Sequence, residues 1–569
     1  MRLRSLALVA GLLALAGPAA TATKPIIRGP AIAGKGMVSA ADPRAADAGA
    51  EMLRQGGSAV DAAFATLLAL NVVEPESSGI GGGGYLVYSA GGGAPVTFDG
   101  RETAPHAATG TWFYRNGQPM EHEEAIPGGK SVGVPGNLRM MALAHRQYGK
   151  LPWAALFQPA IRLARDGFRI TPRLYNALNG SRRTGAMSAE ARSIFYGPDG
   201  NPMPVGTLVK NPAFATFLEG IAARGPDSFY VGPNAQAIVA TVNGSPLHPS
   251  QMTTGDVSTY EAKPRTPVCG TYRGYRICGM APSSSGGIAV FQTLKQLERF
   301  NLSALGPNSP TAWHLIAESM RLAYADREQY LGDSDYVSVP VAGLMDPAYL
   351  ARRSALISPE RTMTIAPAGN PPGAPKQTCK PAPVEERGTS HFVAVDAQGN
   401  VASETSTIES IFGSGLMVSG YFLNNELTDF NIIPGKDGCL TANRVEGGKR
   451  PRSSMSPTIV WGPDGHVRLA VGAAGGATIP AQVLKAIIGV VDWHLTAQQA
   501  IALPVIFAPE DTVYVERGTF LETMAPQLQA LGHKVQVRGP SFKANAIEWA
   551  NGRWAGGADP RSEGAVVSQ

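Results

Sequence analysis

Gly388-Thr389 is the point in this 569-residue chain where residue type and order promise chemistry. A threonine hydroxyl attacks a carbonyl only with a base beside it, and its own α-amine supplies one if the preceding peptide bond is cut. With an unperturbed pKa of about 8, that amine is partly unprotonated near neutrality, so it can take the hydroxyl proton and return it to a leaving group. Glycine at 388 tolerates the backbone distortion that an internal attack needs. The pair predicts a self-cleaving amidase with Thr389 as a new amino terminus.

Such a threonine must be held by regular structure. Thr389-Ser-His-Phe-Val-Ala-Val-Asp396 alternates as a strand does, Asp396-Ala-Gln-Gly-Asn400 reads as a turn, and Val401 to Ser406 returns as a second strand. Pairing about that turn sets residue 389 opposite 407–409, which brings Thr407 and Glu409 beside Thr389. Elsewhere Asp42-Pro43 opens a helix to Gln55, and Ser58 caps another running from Ala59 to Val73. Helical spacing also marks Thr311 to Tyr330 and Ile479 to Trp493. Further strands are expected at Tyr85 to Ser89, Arg276 to Met280, Thr458 to Trp461 and Val467 to Gly472. Periodicity alone gives a mixed α/β chain. A tract rich in Pro, Gly and Lys, Ala366 to Glu386, ends just before the proposed cut.

The amino terminus carries a basic start (Met-Arg-Leu-Arg4), an apolar run from Leu6 to Ala16 and a small-residue site, Ala20-Thr-Ala22. This predicts a cleaved signal peptide over residues 1–22, since the run falls short of the ~20 apolar residues of a membrane span. A soluble, secreted protein of the periplasm or extracellular space follows, with no membrane anchor after signal cleavage. The net charge of +5, or +3 without Arg2 and Arg4, is too mild to imply nucleic acid, and no basic run appears. Cys269, Cys278, Cys379 and Cys439 fit no zinc spacing, so no metal is expected from them. In an exported protein they pair as Cys269–Cys278 across a hairpin and Cys379–Cys439, or else stay as buried free thiols. Gly79-Ile-Gly-Gly-Gly-Gly84 matches the dinucleotide fingerprint in letters but follows a helix and precedes a strand, the reverse of what pyrophosphate needs. Asp333-Ser-Asp335 lacks a full cation loop, and no His-Glu-x-x-His pair occurs. No cofactor is expected.

Around the Gly388-Thr389 junction stand Asn424-Asn-Glu-Leu-Thr-Asp429-Phe, Lys449-Arg-Pro-Arg-Ser453-Ser454-Met-Ser-Pro and Gly472-Ala-Ala-Gly475-Gly476. Upstream, in order, come Gly56-Gly-Ser-Ala-Val-Asp-Ala-Ala, Phe98-Asp-Gly-Arg101-Glu-Thr-Ala-Pro, Pro282-Ser-Ser-Ser-Gly-Gly and Tyr324-Ala-Asp-Arg. Together they resemble the γ-glutamyltransferase (glutathione hydrolase) family of N-terminal nucleophile hydrolases, over nearly the whole mature chain. The resemblance implies a four-layer αββα sandwich built from a large subunit, residues 23–388, and a small catalytic subunit, residues 389–569, cut from one precursor. It implies Thr389 as nucleophile, Thr407 as its hydrogen-bond partner, and Gly475 and Gly476 as the oxyanion site. Arg101, Ser453 and Ser454 would hold a substrate carboxylate, and Glu409, Glu426 and Asp429 its ammonium. Glutathione or another γ-glutamyl compound would be the donor, and water or an amino acid or peptide the acceptor.

Two positions depart from the pattern. Glu409 replaces the asparagine of the best-known members, so that either one carboxyl of the pocket is protonated or a stronger cation is favoured. Arg452 replaces the leucine that commonly precedes the serine pair, and either adds positive potential near the donor carboxylate or faces water. Asn431 to Lys449 is short and lacks aromatic residues, which argues against an aromatic lid. A glutaryl or cephalosporin acylase and a poly-γ-glutamate depolymerase are the alternatives within the fold. An unprocessed, non-catalytic periplasmic binding protein is the alternative outside enzymology.

Overall fold

Two sheets lie face to face in the computed structural model, which describes residues 26–28, 35–376, 379, 388–436, 438–539 and 542–569. The first has eight strands, in the spatial order Ile26–Arg28, Ala565–Ser568, Met37–Ala40, Ser390–Val395, Val401–Thr407, Gly83–Ser89, Val96–Asp99 and Lys263–Arg265. The second has six: Val268–Tyr272, Tyr275–Gly279, Thr458–Trp461, Val467–Ala474, Lys543–Ala550 and Arg553–Ala558. The predicted signal peptide and most of the segment just before Gly388 lie outside the described residues.

Side-chain alternation builds the layers. In Ser390–Val395, Phe392 and Ala394 pack into a core shared with the helices Pro43–Arg54 and Ala59–Val73. Val393 and Val395 point the other way and meet Ile459, Trp461 and Ala470 of the second sheet. Period-2 patterning thus gives one strand two apolar faces, each with its own partner. On the far side Leu469, Val471 and Ala473 pack under the helices Gly286–Leu297, Pro310–Tyr330 and Ile479–Val491. The stack is the four-layer αββα sandwich expected. The helix Ala59–Val73 is buried along its whole length, which accounts for its nearly unbroken apolar sequence. It starts at a reciprocal cap in which Ser58 Oγ accepts from the Asp61 N–H and the Asp61 carboxylate accepts from the Ser58 N–H.

Cys269 and Cys278 stand directly opposite in their hairpin and are bridged, as are Cys379 and Cys439. Asp335 pairs with Lys263 and Arg265 instead of a cation, and no metal-binding group of His, Cys, Asp and Glu occurs among the described residues. Among the same residues no helix is long and apolar enough to cross a membrane.

Candidate active site

Ser390 pairs with Ser406 in the ladder, so the next position sets Thr389 opposite Thr407 at one end of the eight-stranded sheet. The Thr389 hydroxyl donates to Thr407 Oγ1 at 3.3 Å, and Thr407 Oγ1 also accepts from the Glu409 N–H at 2.7 Å. The glycine run 79–84 is a packing device for this strand end. A Cβ on Gly82 would come within 2.0 Å of the Thr407 carbonyl, and one on Gly81 equally close to that of Phe422.

The backbone at the junction is strained. Thr389 has φ 145°, a region that β-branched residues avoid and that costs on the order of 1–3 kcal/mol. The peptide preceding it is wedged: a Cβ on Gly388 would lie 1.7 Å from the Glu409 carbonyl oxygen, so no side chain fits there. Glu409 itself has φ 73°, which turns the loop after Val401–Thr407 back over the junction.

Thr389, Thr407, Gly388, Arg101, Glu409, Glu426, Asp429, Ser453 and Gly476 line one narrow cleft. Nine of the eleven residues predicted from sequence therefore share its walls. Gly475 and Ser454 stand just behind. Gly475 (φ 127°) and Gly476 (φ 56°) form the turn between Val467–Ala474 and the helix Ile479–Val491, and both conformations need glycine. Ser453 is on the wall, whereas Ser454 Oγ accepts from Arg327 Nη2 at 2.6 Å.

Arg101 is fully buried. Its guanidinium donates to Glu426 and Asp429, to the Pro451 carbonyl at 3.1 Å and to the Arg452 carbonyl at 3.0 Å. Sequence assigned the arginine and the two acids to opposite charges of a substrate; the structure brings them into direct contact. Glu409 is turned aside, its Oε2 accepting from Asn425 Nδ2 and Ser410 Oγ. Arg452 does not face water. It is buried and donates to Glu328 Oε2 at 2.7 Å, and this acid is held below its ordinary pKa because Arg452 and Arg327 outweigh the cost of burial.

Sequence reasoning gave no role to Glu102. Its carboxyl is buried 3.8 Å from the Arg101 guanidinium, and burial pushes its pKa up to about 8, with Arg101 opposing. Burial, then the charges of Glu102 and Glu409, also raise Glu426 against the pull of Arg101. Glu102 and Glu426 are thus both raised, each chiefly by burial, with Arg101 opposing both. Asn424 was likewise missed; its amide bonds the Gly81 and Gly133 carbonyls at 2.8 and 2.9 Å and anchors the acidic segment to the glycine run.

Replacing Thr407 by valine keeps the shape and removes the acceptor. We expect kcat to fall about tenfold with KM nearly unchanged, and stability to drop by about 1–3 kcal/mol because the Glu409 N–H loses its partner. Steady-state kinetics and thermal melts check both.

Residues 45–569 match the family model described as γ-glutamyltranspeptidase. The glutathione hydrolase proenzyme of Bacillus subtilis (strain 168) is 38% identical over 546 residues, covering 94% of this chain and 91% of that protein. Among solved structures, cephalosporin acylase from Bacillus halodurans superposes with a TM-score of 0.82 at 27% identity, covering 96% of this chain and 98% of the other. A chain of Helicobacter pylori γ-glutamyltranspeptidase gives 0.56 at 34% identity, covering 60% of this chain and 95% of that one. The sandwich is thus that of the N-terminal nucleophile hydrolases, and the chain belongs to the γ-glutamyltranspeptidase family.

Proposed function

We propose that this chain is an exported precursor that cuts itself between Gly388 and Thr389 and then hydrolyses γ-glutamyl amides, glutathione among them, or passes the γ-glutamyl group to an amino acid or peptide. The observation that carries this reading is the strained, wedged Gly388-Thr389 junction in the acid-lined cleft. Thr389 Oγ attacks the Gly388 carbonyl carbon, the C–N bond breaks, and the hydroxyl proton ends on the departing nitrogen. Water then hydrolyses the ester, leaving the Gly388 carboxylate and a free Thr389 amine. In the mature site that amine takes the Oγ proton as Oγ attacks the γ-amide carbonyl, and gives it to the leaving amine. N–H groups at Gly475 and Gly476 receive the negative oxygen. The acyl-enzyme is released by water or an acceptor amine.

Substrate recognition is a charge exchange. A γ-glutamyl head carries a carboxylate and an ammonium; inserted between Arg101 and the pair Glu426–Asp429, it gives each partner a new opposite charge, so none is left buried and bare. Ser453 and Ser454 support the carboxylate end, and Glu409 adds negative potential at the other. A glutaryl group lacks the ammonium and would strand these carboxylates. The cleft therefore favours γ-glutamyl donors over the acylase chemistry of the Bacillus halodurans neighbour. Release of chromophore from γ-glutamyl against glutaryl anilide tests the choice, and a preference for glutaryl would overturn it.

Amino-terminal sequencing tests the cut, and electrophoresis has a built-in control. Cys379 precedes the junction and Cys439 follows it, so the products of cleavage stay joined by their disulfide. We expect one band near 57 kDa without reductant and bands of roughly 38 and 19 kDa with it, scaled from length. The Helicobacter pylori chain covers 60% of this protein while being matched itself over 95% of its length, which supports a product of two chains.

A further inference from the structure

Beneath Thr389, on the helix side of the sheet, lies a buried charge cluster that the reaction above does not use. Ser390 follows Thr389 and, by strand alternation, points to the opposite face. Its Oγ donates to Glu74 Oε2 at 2.9 Å and accepts from Lys543 Nζ at 2.9 Å. The same ammonium donates to Glu74 Oε2 at 2.7 Å and to Ser77 Oγ at 3.1 Å. An ammonium has three N–H donors, and here each finds an acceptor. Lys543 is 2% exposed and Ser390 fully buried, so this is not a surface pair.

The members of this cluster come from separate parts of the chain. Lys543 is the ladder partner of Ala474, the residue before the Gly475-Gly476 turn. Glu74 ends the helix Ala59–Val73. The carbonyls of Glu76 and Ser77 accept from the N–H groups of Phe412 and Ile408, in the loop that carries Glu409. Burial alone would raise the Glu74 pKa, but the ammonium of Lys543 and then Arg173 override it and keep the carboxylate ionised. Arg173 Nε lies 3.5 Å from Glu74 and 3.8 Å from Glu76.

A buried lysine is a poor choice for stability alone, since an apolar pair of similar volume is often as stable as a buried ion pair. What an apolar pair cannot do is fix three separate segments by directed hydrogen bonds. We propose that Lys543, through Ser390 and Glu74, is a positioning residue that holds Thr389 in register with the Gly475-Gly476 turn and with the loop bearing Glu409. The inference rests on Thr389 being the nucleophile.

The test uses the full-length protein carrying Lys543→Met with Glu74→Met, which removes both charges together, and separately Ser390→Ala, which removes only the hydroxyl bridge. In material that is folded by circular dichroism and cut, the double variant should show kcat for a γ-glutamyl anilide 10- to 100-fold lower with KM within twofold, because Arg101, Glu426 and Asp429 are untouched. Ser390→Ala should show the same pattern at three- to tenfold. Unchanged kcat in the double variant overturns the proposal, as does a loss that falls on KM. If the double variant does not fold, Ser390→Ala decides alone, and wild-type kcat there overturns it. Wild-type protein that is not cut after Gly388 would instead sink the underlying reading of Thr389, a result distinct from a cut enzyme indifferent to Lys543.

Discussion

Thr389→Ala should be recovered as one chain that reductant does not split, with kcat/KM for γ-glutamyl anilide lower by more than about 10⁴-fold. Removing a nucleophile typically costs this much or more, and in the proposed reaction the same side chain also cuts the precursor. Thr389→Ser should still be cut but more slowly, because loss of the β-methyl frees χ1 and the oxygen is no longer held on aim. Gly388→Ala separates the geometry of the junction from its nucleophile. The Glu409 carbonyl would lie 1.7 Å from the new methyl, so the junction must shift while the hydroxyl remains present. We expect that variant to stay uncut. Rapid, complete processing of Gly388→Ala, read by mass spectrometry, would show that the wedge does not govern the reaction.

The placement of Thr389 and Thr407 was legible because it depends on local rules. The turn at Asp396–Asn400 fixes the hairpin register, and with a period of two a register fixes which residues meet; Ser390 against Ser406 follows at once. The helix starts at Asp42 and Ser58 were legible for the same reason, each being a side-chain cap acting within three residues. The cysteine pairs also formed as expected. What failed to show was long-range and electrostatic. Arg101 meets Glu426 across 325 positions, and nothing near either residue says that it will. Lys543 sits in an alternating strand with no motif around it, and its partners lie 153 to 469 positions away. Glu102 belongs to a recognisable block, yet its raised pKa comes from burial beside Arg101, which only packing creates. Of the two options for Arg452, facing water is ruled out by its burial against Glu328, which comes from a helix whose orientation the sequence does not give.

Replacing Arg101 tests that electrostatic assembly. Arg101→Met should raise KM for γ-glutamyl anilide about 10²-fold or more, since a bidentate, buried contact to a carboxylate is lost. It should also lower stability at pH 7 by about 3–5 kcal/mol, the usual cost of leaving buried charges without their partner. The pH dependence has a definite sign. Glu426 is already raised by burial and by Glu102 and Glu409, and Arg101 is what opposes that rise. Without the guanidinium its pKa climbs further, and a carboxyl raised in the folded state favours folding below its unfolded pKa of about 4.3 and loses that advantage as pH increases. The deficit of Arg101→Met relative to wild type should therefore shrink toward pH 4.5 and widen above neutrality, as read by chemical denaturation across that range. Arg101→Lys should restore part of the stability but little of the binding, because a single ammonium cannot span Glu426 and Asp429 as the planar fork does. A variant that lost stability equally at all pH values would show that Arg101 serves only to fill space, and the charge-exchange account of substrate recognition would fall with it.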